Sequence, residues 1–198
     1  MRELLSAAQE LQSFCDNHEW KMCFIGGISV QRWGEPRFTK DADITLLTGF
    51  GEEGLYIDEL LKVYRGRVAN PKQFALRNRV LLLESIENIP IDIALGALPF
   101  EENTIQRATF FTFSETCRLK TCSAEDLIVH KAFANRPQDW IDIESILIRQ
   151  SKLQIDLIWE ELIPLIELKE EPCIEKKLSK LIQKRLKTKS VRGRKNSA

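Results

Sequence analysis

Phe24-Ile-Gly-Gly-Ile-Ser-Val-Gln-Arg-Trp-Gly-Glu-Pro-Arg-Phe-Thr-Lys-Asp41-Ala-Asp43-Ile-Thr-Leu-Leu47 is the stretch from which fold and chemistry are both read. Met22 to Ile25 is a short apolar run stopped by Gly26-Gly27, and Ile28 to Trp33 can form a helical turn before the break at Gly34-Glu35-Pro36. Ala42 to Leu47 reads as a second strand. Its alternation puts Asp41, Asp43 and Thr45 on one face and Ala42, Ile44 and Leu46 on the other. Glycines between a strand and a helix start let backbone N–H groups approach a phosphate with no side chain in the way.

A carboxylate on an apolar strand is costly unless it is used or solvated. Asp-x-Asp on a strand points both carboxylates to one side, about 7 Å apart along the backbone. Val80-Leu81-Leu82-Leu83 and Ile91-Asp92-Ile93-Ala94, separated by a polar turn through Asn88 and Pro90, predict a strand pair. An aspartate on a neighbouring strand, Asp92, can then converge with Asp41 and Asp43. Such a trio suits Mg²⁺, which takes carboxylate oxygens plus substrate phosphates. Two such ions about 4 Å apart stabilise the attacking and leaving oxygens of a phosphoryl or nucleotidyl transfer. The competing reading of the pattern alone is a set of acids flanking strand ends in solvent.

Outward from this stretch, Leu4, Leu5, Ala8, Leu11 and Phe14 predict an opening helix over residues 2–17, and residues 55–63 look helical, with 65–72 as loop. Ser123-Ala-Glu-Asp126 is a helix-start signature, after which the chain stays largely helical: 124–134, 138–150 and 153–168, with Pro137 opening the second and Pro164 kinking or dividing the third. Ile174, Leu178, Leu181, Ile182 and Leu186 line one face of a last amphipathic helix, followed after Lys187 by a Ser/Gly/Lys/Arg tail. Strands first and helices later argue for an α+β fold, a mixed sheet core flanked by helices with a C-terminal helical part. The divisions are 1–115 for the core, 116–187 for the helical region and 188–198 for a basic flexible tail.

Composition narrows the class. The 198 residues hold 29 Lys+Arg against 29 Asp+Glu, 43% hydrophobic residues and only nine Gly and seven Pro, which excludes disordered, collagenous and disulfide-scaffold chains. Five cysteines, an odd number with no Cys-x-x-Cys, and two histidines suggest neither a disulfide framework nor a zinc site, so reduced thiols in a cytoplasmic protein are expected. There is no apolar run of about 18 residues and no signal-peptide pattern, so no membrane association is expected. Ten of the 29 basic residues fall between Lys176 and Lys195 with no acid among them, which leaves 19 basic against 29 acidic elsewhere. A block of this kind is either a solvated end or a phosphate-contacting arm for a nucleic acid.

The order Gly26-Gly27, Arg37-Phe-Thr39-Lys-Asp41-Ala-Asp43, then Asp92 resembles the nucleotidyltransferase superfamily related to DNA polymerase beta. That pattern is a Gly-Gly or Gly-Ser turn, a spacer ending in Arg-x-Thr-x-Asp-x-Asp, and a third carboxylate on a later strand. The resemblance covers about residues 20–96. It implies Asp41, Asp43 and Asp92 as catalytic metal ligands, with Gly26, Gly27, Arg37 and Thr39 seating the triphosphate of an NTP.

Ser123 to Ile143 looks like the helical segment of the AbiEii and MenT group of toxin-like nucleotidyltransferases, a helical Lys followed by Arg-Pro-x-Asp-x-x-Asp. Carried over, Lys131 contacts the nucleotide phosphates and Asp139 or Asp142 supports the site. The competing reading is an exposed lysine and an acid-rich helix start. The implied activity is Mg²⁺-dependent transfer of an NMP to an acceptor, with RNA or tRNA bound through Lys176–Lys195, and an antitoxin protein as the implied partner. The alternatives are transfer to a small-molecule antibiotic, and a catalytically silent member that binds a nucleotide or a protein.

Gly49-Phe-Gly51-Glu-Glu-Gly54 matches Gly-x-Gly-x-x-Gly, but Glu52 and Glu53 would face a pyrophosphate and no suitably placed acid follows, so a strand-to-helix turn is expected. His18 and His130 lack any nucleophile motif. The four tryptophans suit the core or its edges, with Trp33 close enough to Gly-Gly to flank a base.

Overall fold

The computed structural model describes residues 1–195, so of the predicted tail residues 196–198 lie outside the described part. The chain divides into two compact units, one of Met1–Arg32 with Arg37–Ser123, the other of Trp33–Pro36 with the residues from Ala124 on.

The first unit is a seven-stranded mixed sheet with five helices: α1 (Arg2–Asn17), β1 (Met22–Phe24), α2 (Gly26–Trp33), β2 (Ala42–Leu47), α3 (Glu53–Leu61), β3 (Arg65–Gly66), α4 (Pro71–Asn78), β4 (Val80–Glu84), β5 (Pro90–Gly96), α5 (Pro99–Arg107), β6 (Thr109–Ser114) and β7 (Cys117–Thr121). The strand order is β3-β4-β5-β2-β1-β7-β6. β2 lies parallel to β5 and antiparallel to β1, and β5 is antiparallel to β4. One sheet face is the core: Ile44, Leu46, Leu81, Leu83, Ile91, Ile93 and Leu95 are buried with Leu11 of α1 and Ile57 and Leu60 of α3. Each such side chain stabilises the fold by roughly 1.5–3 kcal/mol when fully buried.

The hairpin of β6 and β7 keeps the strands of this unit together past the boundary drawn at 115/116, since β7 pairs with β1. β1 is only three residues long and pairs with β7 at Phe24 alone, so side chains of α1 complete the edge. Gln12 donates to Arg118 O at 3.1 Å and accepts from Lys120 N–H at 2.7 Å, and Gln9 accepts from Arg118 N–H at 3.1 Å.

The second unit contains α6 (Ala124–Ala134), α7 (Pro137–Arg149), α8 (Ile155–Lys169) and α9 (Cys173–Lys195). Leu127, Ile128 and Ala132 of α6, Ile143 and Ile146 of α7, Ile158 and Leu162 of α8 and Ile174 and Leu178 of α9 are buried. α8 runs through Pro164 as one helix. α9 continues past the end at Lys187 read from the apolar pattern, with no proline to stop it. Trp33–Pro36 is held in this unit by α7: Gln150 Nε2 donates to Trp33 O at 2.7 Å and Glu35 N–H to Ser145 Oγ at 3.1 Å. Part of the basic run is also used internally. Arg185 is buried and donates to Gln150 O at 2.7 Å, and Lys184 pairs with Glu144 at 2.6 Å.

Burial pulls the imidazole of His130, on α6, down to about 4, reinforced by Lys131 and partly opposed by Asp126. The folded protein therefore keeps this ring neutral while the unfolded chain binds a proton near pH 6.5. Stability from this group is complete above about pH 6.5 and declines as pH falls toward 4, by about 3 kcal/mol in full. Denaturant midpoints are expected to fall between pH 6.5 and 5, above the ordinary carboxylate range, and His130→Met is expected to flatten that slope.

Candidate active site

β2 and β5 run parallel with Asp43 directly opposite Asp92 in register. Neighbouring strands are about 4.8 Å apart, so these two side chains leave the same sheet face as near neighbours. Asp41 stands immediately before β2, two residues ahead of Asp43. All three aspartates are partly exposed.

α2 starts at Gly26 itself, earlier than Ile28, directly after β1. Gly26 has φ +55°, and a Cβ there would stand 1.9 Å from Asp43 Oδ2. A Cβ on Gly27 would stand 2.2 Å from Thr39 Oγ1. The glycine pair is thus required first by the protein's own carboxylate and hydroxyl. Gly27 N–H donates to Asp43 Oδ2 at 3.3 Å, Ile25 N–H donates to Asp43 O at 2.9 Å, and Thr39 Oγ1 donates to Asp41 Oδ1 at 2.8 Å. The N-terminal turn of α2 therefore meets Asp43 of β2 with its positive end. Arg37, two residues before Thr39, has its carbonyl accepting from Gln31 Nε2 and its guanidinium donating to Phe38 O at 3.2 Å.

Gly26→Ala is expected to lower transfer about 10²-fold, since it pushes the Asp43 carboxylate aside. The left-handed backbone adds a stability cost of about 1 kcal/mol. Steady-state kinetics and a thermal melt measure the two effects separately.

Asp92 is engaged by a residue that sequence reading missed. The Arg67 guanidinium pairs with Asp92 Oδ1, while Arg67 Nε donates to Leu83 O at 2.9 Å and Arg67 N–H to Leu82 O at 3.0 Å. Leu82 is in turn the register partner of Asp92. The chain at 65–72 was expected as loop, but Arg65–Gly66 pairs with β4 and Arg67 continues along it, with α4 following from Pro71. Arg-Gly-Arg alternation was the available signal.

Among the described residues, no group of three or more His, Cys, Asp or Glu side chains stands close enough to hold a metal. Like charges repel, and here each aspartate turns to a different donor: Asp41 to Thr39, Asp43 to Gly27, Asp92 to Arg67. The donor set is still all-oxygen, with Asp43 and Asp92 at adjacent positions of one sheet face and Asp41 just before β2, which fits a hard divalent ion once the carboxylates swing together.

Lys131 lies in the second unit and is buried, 4% exposed, with Asp139 at 3.2 Å and Asp142 at 2.6 Å, themselves 2% and 3% exposed. It is not the exposed lysine of the competing reading. Asp139 Oδ2 also accepts from Arg136 Nε at 2.7 Å, and Gln138 Nε2 donates to Asp142 Oδ1 at 3.0 Å. In the Gly49–Gly54 turn, Gly51 N–H donates to Glu53 Oε2 at 2.8 Å, so an acid occupies a donor that a phosphate loop would offer.

The sequence profile described as "Nucleotidyl transferase AbiEii toxin, Type IV TA system" matches residues 11–192, nearly the whole chain. The chain belongs to the AbiEii nucleotidyl transferase family. It is accordingly a nucleotidyltransferase. No curated protein matches the sequence. Among solved structures, an antigenic nucleotidyltransferase-like protein from Paracoccidioides brasiliensis is similar at 17% identity over 90% of this chain and 93% of its own, with a TM-score of 0.53, which shows a shared fold. The lincomycin-bound lincosamide adenylyltransferase LnuA is more distantly similar, with 15% identity over 69% of this chain and 92% of its own and a TM-score of 0.47. The antibiotic-resistance factor ANT(2'')-Ia aligns over 98% of this AbiEii-family chain and 97% of its own, at 14% identity and a TM-score of 0.48. No described helix is long and apolar enough to cross a membrane.

Proposed function

We propose that this AbiEii-family chain is a Mg²⁺-dependent nucleotidyltransferase that moves an NMP from an NTP to RNA, with the end of a tRNA as the acceptor, and acts as the toxin of a toxin–antitoxin pair. The observation that carries the catalytic reading is the register: Asp43 opposite Asp92, with Asp41 two residues away and the Gly26-Gly27 turn against Asp43. Asp41, Asp43 and Asp92 would hold the metal, which supplies positive charge between the carboxylates and the triphosphate. Gly26, Gly27, Arg37 and Thr39 would seat the triphosphate, and Lys131 would offset its charge.

In the transfer, the acceptor hydroxyl oxygen bonds to the α-phosphorus, the bond from that phosphorus to the bridging oxygen breaks, and pyrophosphate leaves with the electron pair. Asp92 would take the hydroxyl proton. Catalysis is then mostly positioning and electrostatic stabilisation. The basic stretch Lys176–Lys195 supports an RNA acceptor, and binding carried by it should weaken steeply with salt.

The test is transfer from α-phosphate-labelled ATP, CTP, GTP and UTP, with Mg²⁺, to total RNA, to an aminoglycoside and to the protein itself, comparing wild type with Asp41→Asn. Label on RNA that is lost in the variant supports the whole reading. Label on an aminoglycoside but not on RNA overturns the acceptor, and no label on any acceptor from folded protein overturns the enzymatic reading in favour of a binding module.

A further inference from the structure

Arg67 differs from an ordinary surface ion pair in how it is held. Its backbone N–H and its Nε are both committed to β4, so the rest of the guanidinium is aimed at Asp92 by the sheet rather than by a flexible stem. Exposed pairs between flexible side chains contribute little. Here both side chains are about one-third exposed, 30% and 33%, so water and ions reach the pair. Asp92 is also the register partner of Asp43, and two carboxylates side by side need a cation between or beside them.

We propose that Arg67 is a positioning residue for Asp92 and the protein's own counter-charge at the carboxylate site, competing with a divalent cation for Asp92 and thereby setting the cation concentration at which the site loads. This rests on the nucleotidyl-transfer reading above. Arg67 holds Asp92 in the metal-free protein, and its charge keeps the affinity for a cation low until a triphosphate brings further ligands. Removing it has two opposed effects: the site binds a cation more tightly, and transfer slows because Asp92 is no longer held. A structural role alone would not tighten metal binding.

The experiment is calorimetric titration of nucleotide-free protein with Mn²⁺, alongside kcat and the half-saturating Mg²⁺ concentration for transfer. Arg67→Gln is expected to bind Mn²⁺ about fivefold or more tightly than wild type, from the loss of one nearby positive charge. Its half-saturating Mg²⁺ should fall in parallel, with kcat down about tenfold. Arg67→Lys keeps the charge without the Nε anchor and should bind Mn²⁺ as wild type does, with kcat still reduced. Adding Asp92→Asn to Arg67→Gln should abolish the gain in affinity. Mn²⁺ binding by the Gln variant no tighter than wild type, with Arg67→Lys folded as a control, overturns the proposal while leaving the catalytic reading intact. An unchanged gain in the double variant overturns it too. Folded wild type that neither binds Mn²⁺ nor transfers label overturns the catalytic reading itself, and this proposal falls with it unless Arg67→Gln alone acquires Mn²⁺ binding.

Discussion

Asp43→Asn is expected to reduce nucleotidyl transfer by about 10²–10³-fold or more, with the fold retained. Asp43 stands where three features of the site meet. It faces Asp92 across the strand pair, its Oδ2 accepts from Gly27 N–H, and Gly26 lacks a side chain at the spot its carboxylate fills. An asparagine has the same shape and can still accept that hydrogen bond, so the backbone geometry persists. What disappears is one negative charge and one hard oxygen ligand, and these are the quantities a divalent ion and the charge of phosphoryl transfer respond to. The prediction is checked by comparing kcat with the denaturation midpoint. Transfer near the wild-type rate from folded Asp43→Asn would remove Asp43 from the chemistry.

The second large effect is on stability. Lys131→Met is expected to cost about 3–5 kcal/mol, because it leaves Asp139 and Asp142 buried with less countercharge. Asp139 retains Arg136, whereas Asp142 loses its partner at 2.6 Å. The double variant Lys131→Met with Asp142→Leu is expected to recover much of the loss, since replacing both members of a buried pair by apolar groups is often neutral. Denaturant titration measures this. The same double variant separates the two roles of Lys131: transfer that stays low in a restabilised protein supports a phosphate contact, and transfer that returns makes the lysine purely structural. That lysine was legible on α6 as a carry-over from resemblance, but its burial was not. Nothing local in Ile128-Val129-His130-Lys131 says that aspartates 8 and 11 residues later will fold back on it.

The same division runs through the sheet. Strands β1, β2, β4 and β5 were legible because apolar runs and period-two alternation are local properties. The hairpin of β6 and β7 was missed. Thr109-Phe-Phe-Thr-Phe-Ser114 is exposed along most of its length on the sheet edge, so burial wrote no alternation into it. β3 is two residues long, too short for a period to show.

By itself, then, the sequence determined the candidate residues and their local setting: an Asp-x-Asp at the start of a strand, a third acid on a later strand, and a glycine pair after β1. Only the tertiary structure decided that β2 and β5 are parallel neighbours with Asp43 opposite Asp92, that both glycines are needed for contact with Asp43 and Thr39, and that Arg67 rests on Asp92. The reason is one of range. Side-chain direction within a strand follows from covalent geometry over two residues, whereas register between strands some fifty residues apart follows from how the whole apolar face packs against α1 and α3.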